Sequence, residues 1–293
     1  MIIADVQALT TNFDKPEKLS EDVRQVARDY FAAGIDPEKT TIFVQSMVPQ
    51  IAELTVFYSM LVTVNQLQHN PTIKSEADQY GYKDMSYGFL GYPVSQAADI
   101  TFCRANLVPV GEDQIPHIEQ TRKIVRKFNN MYGKVFFEPE ALVGDFPRLM
   151  GIYGKAKMSK SLNNAIYLSD SEEEVNGKIM KAKTDPARIH KDDPGHPEVC
   201  TVYHYHKAFN KDESDEIAKK CRAGTIGCVD CKKRLAKRLN EFLDPMRERR
   251  QKYIDNPGLV DQIIKEGTER AKEEAEKTLK KVRDVMKIDY FAD

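Results

Sequence analysis

The start of the chain has the order strand, helix, strand, and this order restricts the fold more than any other feature. Ile2–Ala4 begins an apolar run that continues through Gln7–Thr10, and Thr40–Val44 is a β-branched and aromatic run typical of a buried strand. Between them, Ser20 is a suitable helix N-cap and Gly34 is a suitable residue just beyond the end of the helix. Parallel strands joined by a helix are the unit of an α/β sheet, so we predict that class.

The remainder of the chain divides into an α/β part and a helical part. Leu107–Val110 is a short strand that opens into a long helix. From Ser171, with Glu174 at capping-box spacing, the pattern is helical to the end. We therefore predict an α/β domain over residues 1–170 and an all-helical domain over residues 171–293.

Three segments between the second and third predicted strands have weaker patterns. Residues 51–68 are apolar at helical spacing and predict one helix. Residues 70–91 carry scattered tyrosines and glycines and are interpreted as irregular. Another helix is predicted to start near Pro93, since proline is well tolerated at a first helical position.

Composition and charge exclude several classes of protein. The 293 residues are 41% hydrophobic and 30% charged with a net charge of −1, so the chain lacks the overall basic surface of many nucleic-acid-binding proteins. No stretch has the apolar length of a membrane span, and Met1–Asp5 lacks the basic region of a signal peptide. Five cysteines in such a chain favour metal or cluster ligation over a disulfide framework, so we expect a cytoplasmic protein without membrane association.

Lys157–Ser161, with the sequence Lys-Met-Ser-Lys-Ser, is a compact candidate for anion binding. Its two lysines lie three positions apart, and lysine is a mobile point charge suited to phosphate oxygens that move during a reaction. Gly151 and Gly154 precede the stretch and indicate a loop that can shift. The alternative interpretation is a solvated basic turn.

Two polar sets flank the short strand that precedes this loop. Gly111–Gln114 follows the strand directly, which is where open α/β sheets bind ligands. Asp113 there would accept from ribose hydroxyls or would only cap the next helix. Tyr92, Gln96 and Asp99 lie on adjacent turns of the helix before the strand and would suit an amino acid, with the carboxylate accepting from a donor-only group. A helix with an ordinary polar edge is the alternative.

These stretches together resemble the tryptophanyl-tRNA synthetases, class I enzymes that activate tryptophan with ATP and load it on tRNA. The lysine pentapeptide is typical of class I synthetases in general, and Val-Pro-Val-Gly-Glu-Asp-Gln makes the resemblance specific for tryptophan. The resemblance covers residues 1 to about 170, and a looser similarity continues to the end. The residues that carry it are Ile3–Thr10, Tyr92–Ile100, Val108–Gln114, His117–Arg122 and Ala156–Ser161.

The resemblance implies a Rossmann-like nucleotide-binding domain, N-terminally incomplete, followed by a helical anticodon-binding domain. It implies L-tryptophan, ATP with Mg²⁺ and tRNA(Trp) as ligands, and a homodimer for which residues 51–68 and the segment after them are our candidate interface. A tyrosine-specific synthetase is an alternative, because relatives of that specificity also carry a Tyr, Gln, Asp set and Gln96 stands where many bacterial members have Met. A non-catalytic fragment that binds tRNA or a partner is a further alternative.

The resemblance also implies roles for particular residues. Asp99 would accept the indole N–H, the only polar group of that ring. Lys157 and Lys160 would be the catalytic charges over the leaving pyrophosphate while the tryptophan carboxylate attacks the α-phosphate. The other tryptophan-binding residues would be Tyr92, Gln96, Gln114, Val108 and Val110, and the ATP-binding residues would be Gly111, Glu112, Asp113, Leu149, Lys157, Met158, Ser159, Lys160 and Ser161.

Four cysteines of the helical part have the spacing C-x20-C-x6-C-x2-C and are Cys200, Cys221, Cys228 and Cys231. Such a set can ligate zinc or an iron–sulfur cluster. The resemblance implies a 4Fe–4S cluster near the anticodon-binding surface, with zinc and free thiols as the alternatives. Nearby basic residues would suit tRNA phosphates, namely Arg222, Lys232, Lys233, Arg234, Lys237 and Arg238.

A His-x-Gly-His-like signature, which this class carries ahead of the first strand identified above, does not occur in the sequence. We expect about 30 further residues, one βα unit, to belong in front of that strand. Because the unit would supply half of the ATP site and part of the tryptophan site, we predict that the chain as written is catalytically impaired. Tryptophan-dependent pyrophosphate exchange measures this, and a near-normal rate would contradict it. The genomic sequence upstream of Met1 would show whether the unit is encoded.

Overall fold

The computed structural model describes residues 1–144, 149–154, 158 and 162–291. Within these residues it has four short strands and twelve α-helices. The strands are β1 (Ile2–Ile3), β2 (Phe43–Val44), β3 (Leu107–Val110) and β4 (Glu140–Val143). The helices are α1 (Asp5–Asn12), α2 (Leu19–Ala32), α3 (Gln50–Ser59), α4 (Val64–Gln68), α5 (Pro71–Tyr80), α6 (Tyr87–Thr101), α7 (Ile115–Tyr132), α8 (Glu172–Lys181), α9 (Thr201–Phe209), α10 (Lys211–Arg222), α11 (Cys228–Asp255) and α12 (Pro257–Met286).

The strands form two parallel pairs. β1 pairs with β2, with Ile2 opposite Phe43, and the chain between them forms α1 and α2. β3 pairs with β4, with Leu107 opposite Glu140, and α7 lies between them in sequence. The predicted α/β class with parallel strands is therefore confirmed.

Two predicted elements near the start of the chain differ from the structure, and the predicted role of one glycine is confirmed. Gln7–Thr10 is part of α1 rather than a continuation of β1. Residues 51–68 form two helices, because Thr63 starts a new helix with a capping box to Gln66. Gly34 has a φ of +98°, a value that suits glycine just beyond the end of α2, as predicted.

The segment predicted to be irregular is largely helical. The Asn70 side chain caps α5 by accepting from the backbone N–H of Thr72, and Pro71 occupies the first helical position. Ser86 caps α6 by accepting from the Phe89 N–H, so α6 begins six residues before Pro93. Short polar N-caps, rather than apolar periodicity, define both helices.

The chain forms two compact units. The first consists of Met1–Arg28, Asp36–Asp145 and Asn256–Asp293, and the second of Asp29–Ile35 and Phe146–Asp255. The last helix, α12, thus belongs with the strands, whereas the domain boundary at residue 170 stays a prediction. None of the helices in the described ranges has the length and apolar character that crossing a bilayer requires.

Each unit has its own apolar core. The first is built on buried side chains of α3, α6, α7 and α12, and there the backbone of α12 approaches β2 so closely that a Cβ added to Gly267 would lie 1.9 Å from the Ile42 carbonyl oxygen. The second is built on α8, α9 and α11, and includes Val175, Ile179 and Leu235. The capping box predicted for Ser171 and Glu174 is present at the start of α8.

Candidate active site

Helix α6 carries three of the predicted side chains at spacings of four and three residues. This spacing places Tyr92, Gln96 and Asp99 on one side of the helix. The opposite side includes Ala97 and Ala98, which are fully buried in the core of the first unit. Core packing therefore holds the polar side at the edge of the apolar interior.

Asp99 is engaged by a residue that sequence reasoning missed. Gln45 Nε2 donates to both carboxylate oxygens of Asp99, over 2.8 and 2.9 Å. The Gln45 side-chain oxygen accepts the Gln7 backbone N–H at 3.1 Å, and Gln45 is buried. One sequence feature could have identified Gln45: it is a polar residue directly after a buried strand. Ligand sites form at such ends of parallel strands.

The acidity of Asp99 is strongly shifted. Loss of hydration raises the pKa of its carboxyl to about 7, against the lowering effect of the Gln45 hydrogen bonds, and the charge of Asp5 raises the pKa further. Gln45 is neutral, so among the described residues the carboxylate has a hydrogen-bond donor and no cation that offsets its charge. Near pH 7 the residue can accept from a ligand N–H when ionised.

Tyr92 lies in a second network with Glu76 and His117, neither of which the sequence analysis predicted as a ligand-binding residue. Its hydroxyl donates to Glu76 Oε2 at 2.9 Å and is 2.9 Å from His117 Nε2. Tyr92 and His117 are both buried. Desolvation, followed by the charge of Glu76, raises the pKa of the Tyr92 phenol, and desolvation lowers the pKa of His117 to about 4.

Hydrogen bonds bring the turn after β3 against α6. Gln96 Nε2 donates to Gln114 Oε1 at 3.1 Å, and Gln114 Nε2 donates to Asp113 Oδ2 at 3.4 Å. On β3 itself, Val108 and Val110 are both half-buried and alternate with exposed residues. The structure thus joins Gln96 with Gln114 and Asp113, while Asp99 and Tyr92 each have separate partners.

The remaining predicted ATP-binding residues fall into two groups. Gly111 is half-buried and Glu112 is exposed, at the start of the 3₁₀ turn Glu112–Gln114. In the second unit, the Met158 backbone N–H donates to the Leu149 carbonyl at 3.3 Å. The other residues of the lysine stretch, namely Lys157, Ser159, Lys160 and Ser161, lie outside the described residues.

The four cysteines lie near the ends of three helices of the second unit. Cys200 precedes α9, Cys221 is in the last turn of α10, and Cys228 and Cys231 are one turn apart at the start of α11. Burial, and then the charges of the other three thiols, raise the pKa of Cys231 to about 12. No group of three or more His, Cys, Asp or Glu side chains in the described ranges is arranged to hold a metal ion.

Two cationic or imidazole groups contact these thiols. Burial raises the pKa of the Cys221 thiol, and Arg188, whose Nη1 lies 3.7 Å from Cys221 Sγ, partly opposes this rise. His206 Nε2 lies 3.4 Å from Cys231 Sγ. A Cβ added to Gly195 would lie 2.5 Å from Cys221 Sγ, so the chain passes close over this cysteine.

The basic residues around the cysteines are mostly neutralised within the chain. Lys232 donates to the backbone carbonyl of Met180 at 2.9 Å, which is a neutral acceptor rather than a carboxylate. Four others pair with carboxylates: Arg222 with Glu198, Arg234 with Glu213 at 3.9 Å, and Lys237 and Arg238 with Glu241 at 3.8 and 3.2 Å. The surface is therefore less positive than the sequence alone indicates.

A parallel α/β unit with a polar site after β3, a half-buried carboxylate on α6 and a lysine pentapeptide defines a class I aminoacyl-tRNA synthetase. The profile of the family described as tRNA synthetases class I (W and Y) matches residues 1–244, and the chain belongs to that family. Its similarity is to the tryptophan-specific members, as the following relatives show.

Relatives and solved structures agree on this similarity. The tryptophan–tRNA ligase of Thermotoga maritima is 48% identical over 289 residues, which cover 98% of this chain and 88% of the relative. That of Clostridium longisporum is 48% identical over 297 residues, covering 99% and 87%. The structure of the Campylobacter jejuni tryptophanyl-tRNA synthetase complexed with ADP and tryptophan has a TM-score of 0.82 at 29% identity, covering 98% of this chain and 89% of that one. The resemblance found in the sequence is confirmed, while the roles of individual residues stay predictions.

The raised pKa of Asp99 predicts how stability changes with pH. The folded value of about 7 lies above the ordinary value of 3.8, so the folded state holds a proton that the unfolded state has released. Stability should therefore fall as pH rises between about 4 and 7, by on the order of 2 kcal/mol from this group. Asp99→Asn removes the titration, so the variant should lose less stability over this range than the wild type.

Urea unfolding at both ends of the range measures this difference. Asp78→Asn, a substitution of an exposed carboxylate in α5, is the control and should keep the wild-type slope. Equal slopes for the wild type and Asp99→Asn would show that Asp99 is ionised throughout.

Proposed function

We infer that this chain is a tryptophan–tRNA ligase, an ATP-dependent enzyme that activates L-tryptophan and transfers it to tRNA(Trp). The observation that carries this conclusion is the 48% identity to the Thermotoga maritima ligase over 98% of the chain. The same similarity favours tryptophan over tyrosine as the substrate. The desolvated carboxylate on α6 agrees with it, because the indole ring presents a single N–H donor.

In the tryptophan site, Asp99 accepts the indole N–H and the half-buried Val108 and Val110 form the apolar wall beside the ring. Tyr92, Gln96 and Gln114 lie toward the α-amino end of the substrate. Gln45 holds the Asp99 carboxylate in place from the other side, over 2.8 and 2.9 Å. A carboxylate enclosed in this way is costly to leave without a donor, which disfavours amino acids that lack an N–H at that position.

Activation then joins the tryptophan carboxylate to the α-phosphate of ATP, with pyrophosphate as the leaving group. This step needs positioning and charge stabilisation rather than a covalent enzyme intermediate. Lys157 and Lys160 supply positive charge to the leaving pyrophosphate, and Mg²⁺ shares that charge when bound. The residues that contact ribose and adenine are Gly111, Glu112, Asp113 and Leu149. The backbone and hydroxyls of Met158, Ser159 and Ser161 contact the phosphates.

Amino-acid selectivity tests this function directly. The chain contains no Trp, so the fluorescence of bound L-tryptophan is measured without emission from protein tryptophan. L-Tryptophan should bind at least about 100-fold more tightly than L-tyrosine. Asp99→Asn should weaken tryptophan binding about 10-fold, because a charge-assisted hydrogen bond becomes a neutral one.

Asp78→Ala is the matched control and should bind tryptophan as the wild type does. Tighter binding of L-tyrosine would establish the tyrosine-specific alternative. A chain that binds tRNA but neither amino acid would establish the non-catalytic one.

A homodimer through the α3–α4 surface is part of this proposal. Several apolar side chains there are strongly exposed: Val56 by 54%, Met60 by 68%, Val64 by 58% and Tyr87 by 79%. An apolar cavity of about 250 Å³ lies next to them, between α1, α3, α4 and α6. Exposed apolar surface of this kind is typical of an interface between subunits.

A 4Fe–4S cluster on Cys200, Cys221, Cys228 and Cys231 is the proposed cofactor of the second unit. Their sequence spacing supports it. Because the described side chains are not arranged to hold a metal ion, binding would have to bring the four sulfur atoms together. Thiols with raised pKa values are protonated at neutral pH, and iron would deprotonate them on binding. Arg188, 3.7 Å from Cys221 Sγ, would offset the negative charge that the four thiolates add. Such a group supplies rigidity and charge to the helical part rather than chemistry for the activation step.

Metal content decides between the cluster and its alternatives. Anaerobically purified protein should contain about four iron atoms per chain with matching sulfide, and show charge-transfer absorption in the visible range. Cys228→Ser should lose most of this iron, while Cys103→Ser, outside the set, should retain it. Stoichiometric zinc would establish the zinc alternative, and protein free of both metals would establish free thiols.

The helical part is the proposed anticodon-binding surface. Six basic residues lie near the cysteines in sequence. Of these, Lys232 and Lys233 form no ion pair with a carboxylate in the described ranges. The surrounding Arg and Lys side chains would exchange their carboxylate partners for phosphates on binding RNA. A cytoplasmic location follows from the substrates, ATP and tRNA.

A further inference from the structure

The network of Tyr92, Glu76 and His117 has no part in the activation chemistry, yet two of its three members are buried. Tyr92 is 8% exposed and His117 is 1% exposed. Both contacts of the phenol oxygen, to Glu76 Oε2 and to His117 Nε2, are 2.9 Å long. A phenol held by two polar partners inside an apolar core calls for a physical reason beyond packing.

A count of protons determines the direction of each hydrogen bond. The phenol has one proton, and Glu76 as a carboxylate can only accept, so the Tyr92 hydroxyl donates to Glu76. The oxygen of Tyr92 must then accept from His117, which requires a proton on Nε2 of the imidazole. Since burial lowers the pKa of His117 to about 4, the ring is neutral at pH 7 and its Nδ1 carries no proton.

The surroundings of His117 Nδ1 agree with this direction. In the described part of the chain, Nδ1 is buried and has no hydrogen-bond partner. With the opposite tautomer, a buried N–H donor would be left unpaired and the Tyr92 oxygen would face the Glu76 carboxylate with a lone pair. Both effects are unfavourable, so the tautomer with a proton on Nε2 is preferred.

We propose that Glu76 and His117 act as positioning residues that make the Tyr92 hydroxyl an acceptor only, so that the amino-acid site selects the α-ammonium group, a pure donor. This inference rests on the proposed function in one respect, namely that Tyr92 lies at the α-amino end of tryptophan. With its proton directed at Glu76 and one lone pair used by His117, the phenol has one lone pair left for a substrate N–H.

The proposal makes an unusual prediction for α-keto acids. Indole-3-pyruvate has the same ring and carboxylate as tryptophan, but its α-carbonyl oxygen can only accept. Facing an acceptor-only phenol, this analogue is rejected. Glu76→Ala releases the phenol proton, so the Tyr92 hydroxyl can then donate to the carbonyl.

Binding of the two ligands to the full chain tests this. Glu76→Ala should weaken L-tryptophan about 10-fold and tighten indole-3-pyruvate, measured by competition, so that the preference for tryptophan falls sharply. Tyr92→Phe should reduce the preference in the same direction. Adding Glu76→Ala to Tyr92→Phe should cause no further change, because Glu76 acts through the phenol. Asp78→Ala, two positions away on α5, should behave as the wild type.

A second measurement does not depend on any ligand. In ¹⁵N NMR spectra of the six histidines, the His117 resonances, assigned by their loss in His117→Gln, should show the proton on Nε2 at pH 7. In Glu76→Ala the phenol can donate to Nε2, so the population with the proton on Nδ1 should rise.

The outcomes separate this inference from the proposed function. Wild-type protein that binds no tryptophan would overturn both. Two results would overturn the inference and leave the proposed function in place. One is a protein that binds tryptophan but has the proton on His117 Nδ1. The other is a Glu76→Ala effect that is equally large with and without the Tyr92 hydroxyl.

Discussion

Burial of α6 in the core of the first unit is the constraint on which the rest of the site depends. The helix packs against α3 and α7, and Phe89, Val94 and Ala98 are buried there. With those side chains directed inward, the polar residues of α6 lie at the border of the core and lose part of their hydration. A polar group in that position is tolerated only when it is hydrogen-bonded, so each one selects a partner from a neighbouring element. These hydrogen-bonded pairs together form the candidate site.

The two networks on α6 differ in their electrostatic character. Within the described ranges, the Asp99 carboxylate is hydrogen-bonded by the neutral amide of Gln45, and no cation there offsets its charge. Tyr92 instead lies between a carboxylate and a neutral imidazole, which together determine where its proton goes. In the function proposed above, the first network would take the neutral indole N–H and the second the charged α-ammonium group.

The second unit depends on a different balance. Its cysteines lie at the ends of three helices, where burial and the neighbouring thiols raise the pKa of Cys231. Arg188 is a permanent positive charge beside Cys221. The paired arginines and lysines around the cysteines show that a basic sequence segment need not be a basic surface, since neighbouring helices bring carboxylates within reach.

Local patterns in the sequence determined much of this protein. The parallel α/β class, β3, the capping box at Ser171 and the family itself followed from residues close together in the chain, because strand propensity, capping and short motifs depend on near neighbours. The extent of α5 and α6 did not follow, since single capping residues rather than periodicity start them.

Only the tertiary structure decided which side chains act together. Gln45 lies 54 positions from Asp99, and His117 lies 25 from Tyr92, so no local pattern joins them. Their pairing arises from the packing of separate elements around α6, and the shifted acidities of Asp99 and His117 arise from the burial that this packing causes. The sequence by itself determined the residue types and the family of the site, and folding decided their partners and protonation.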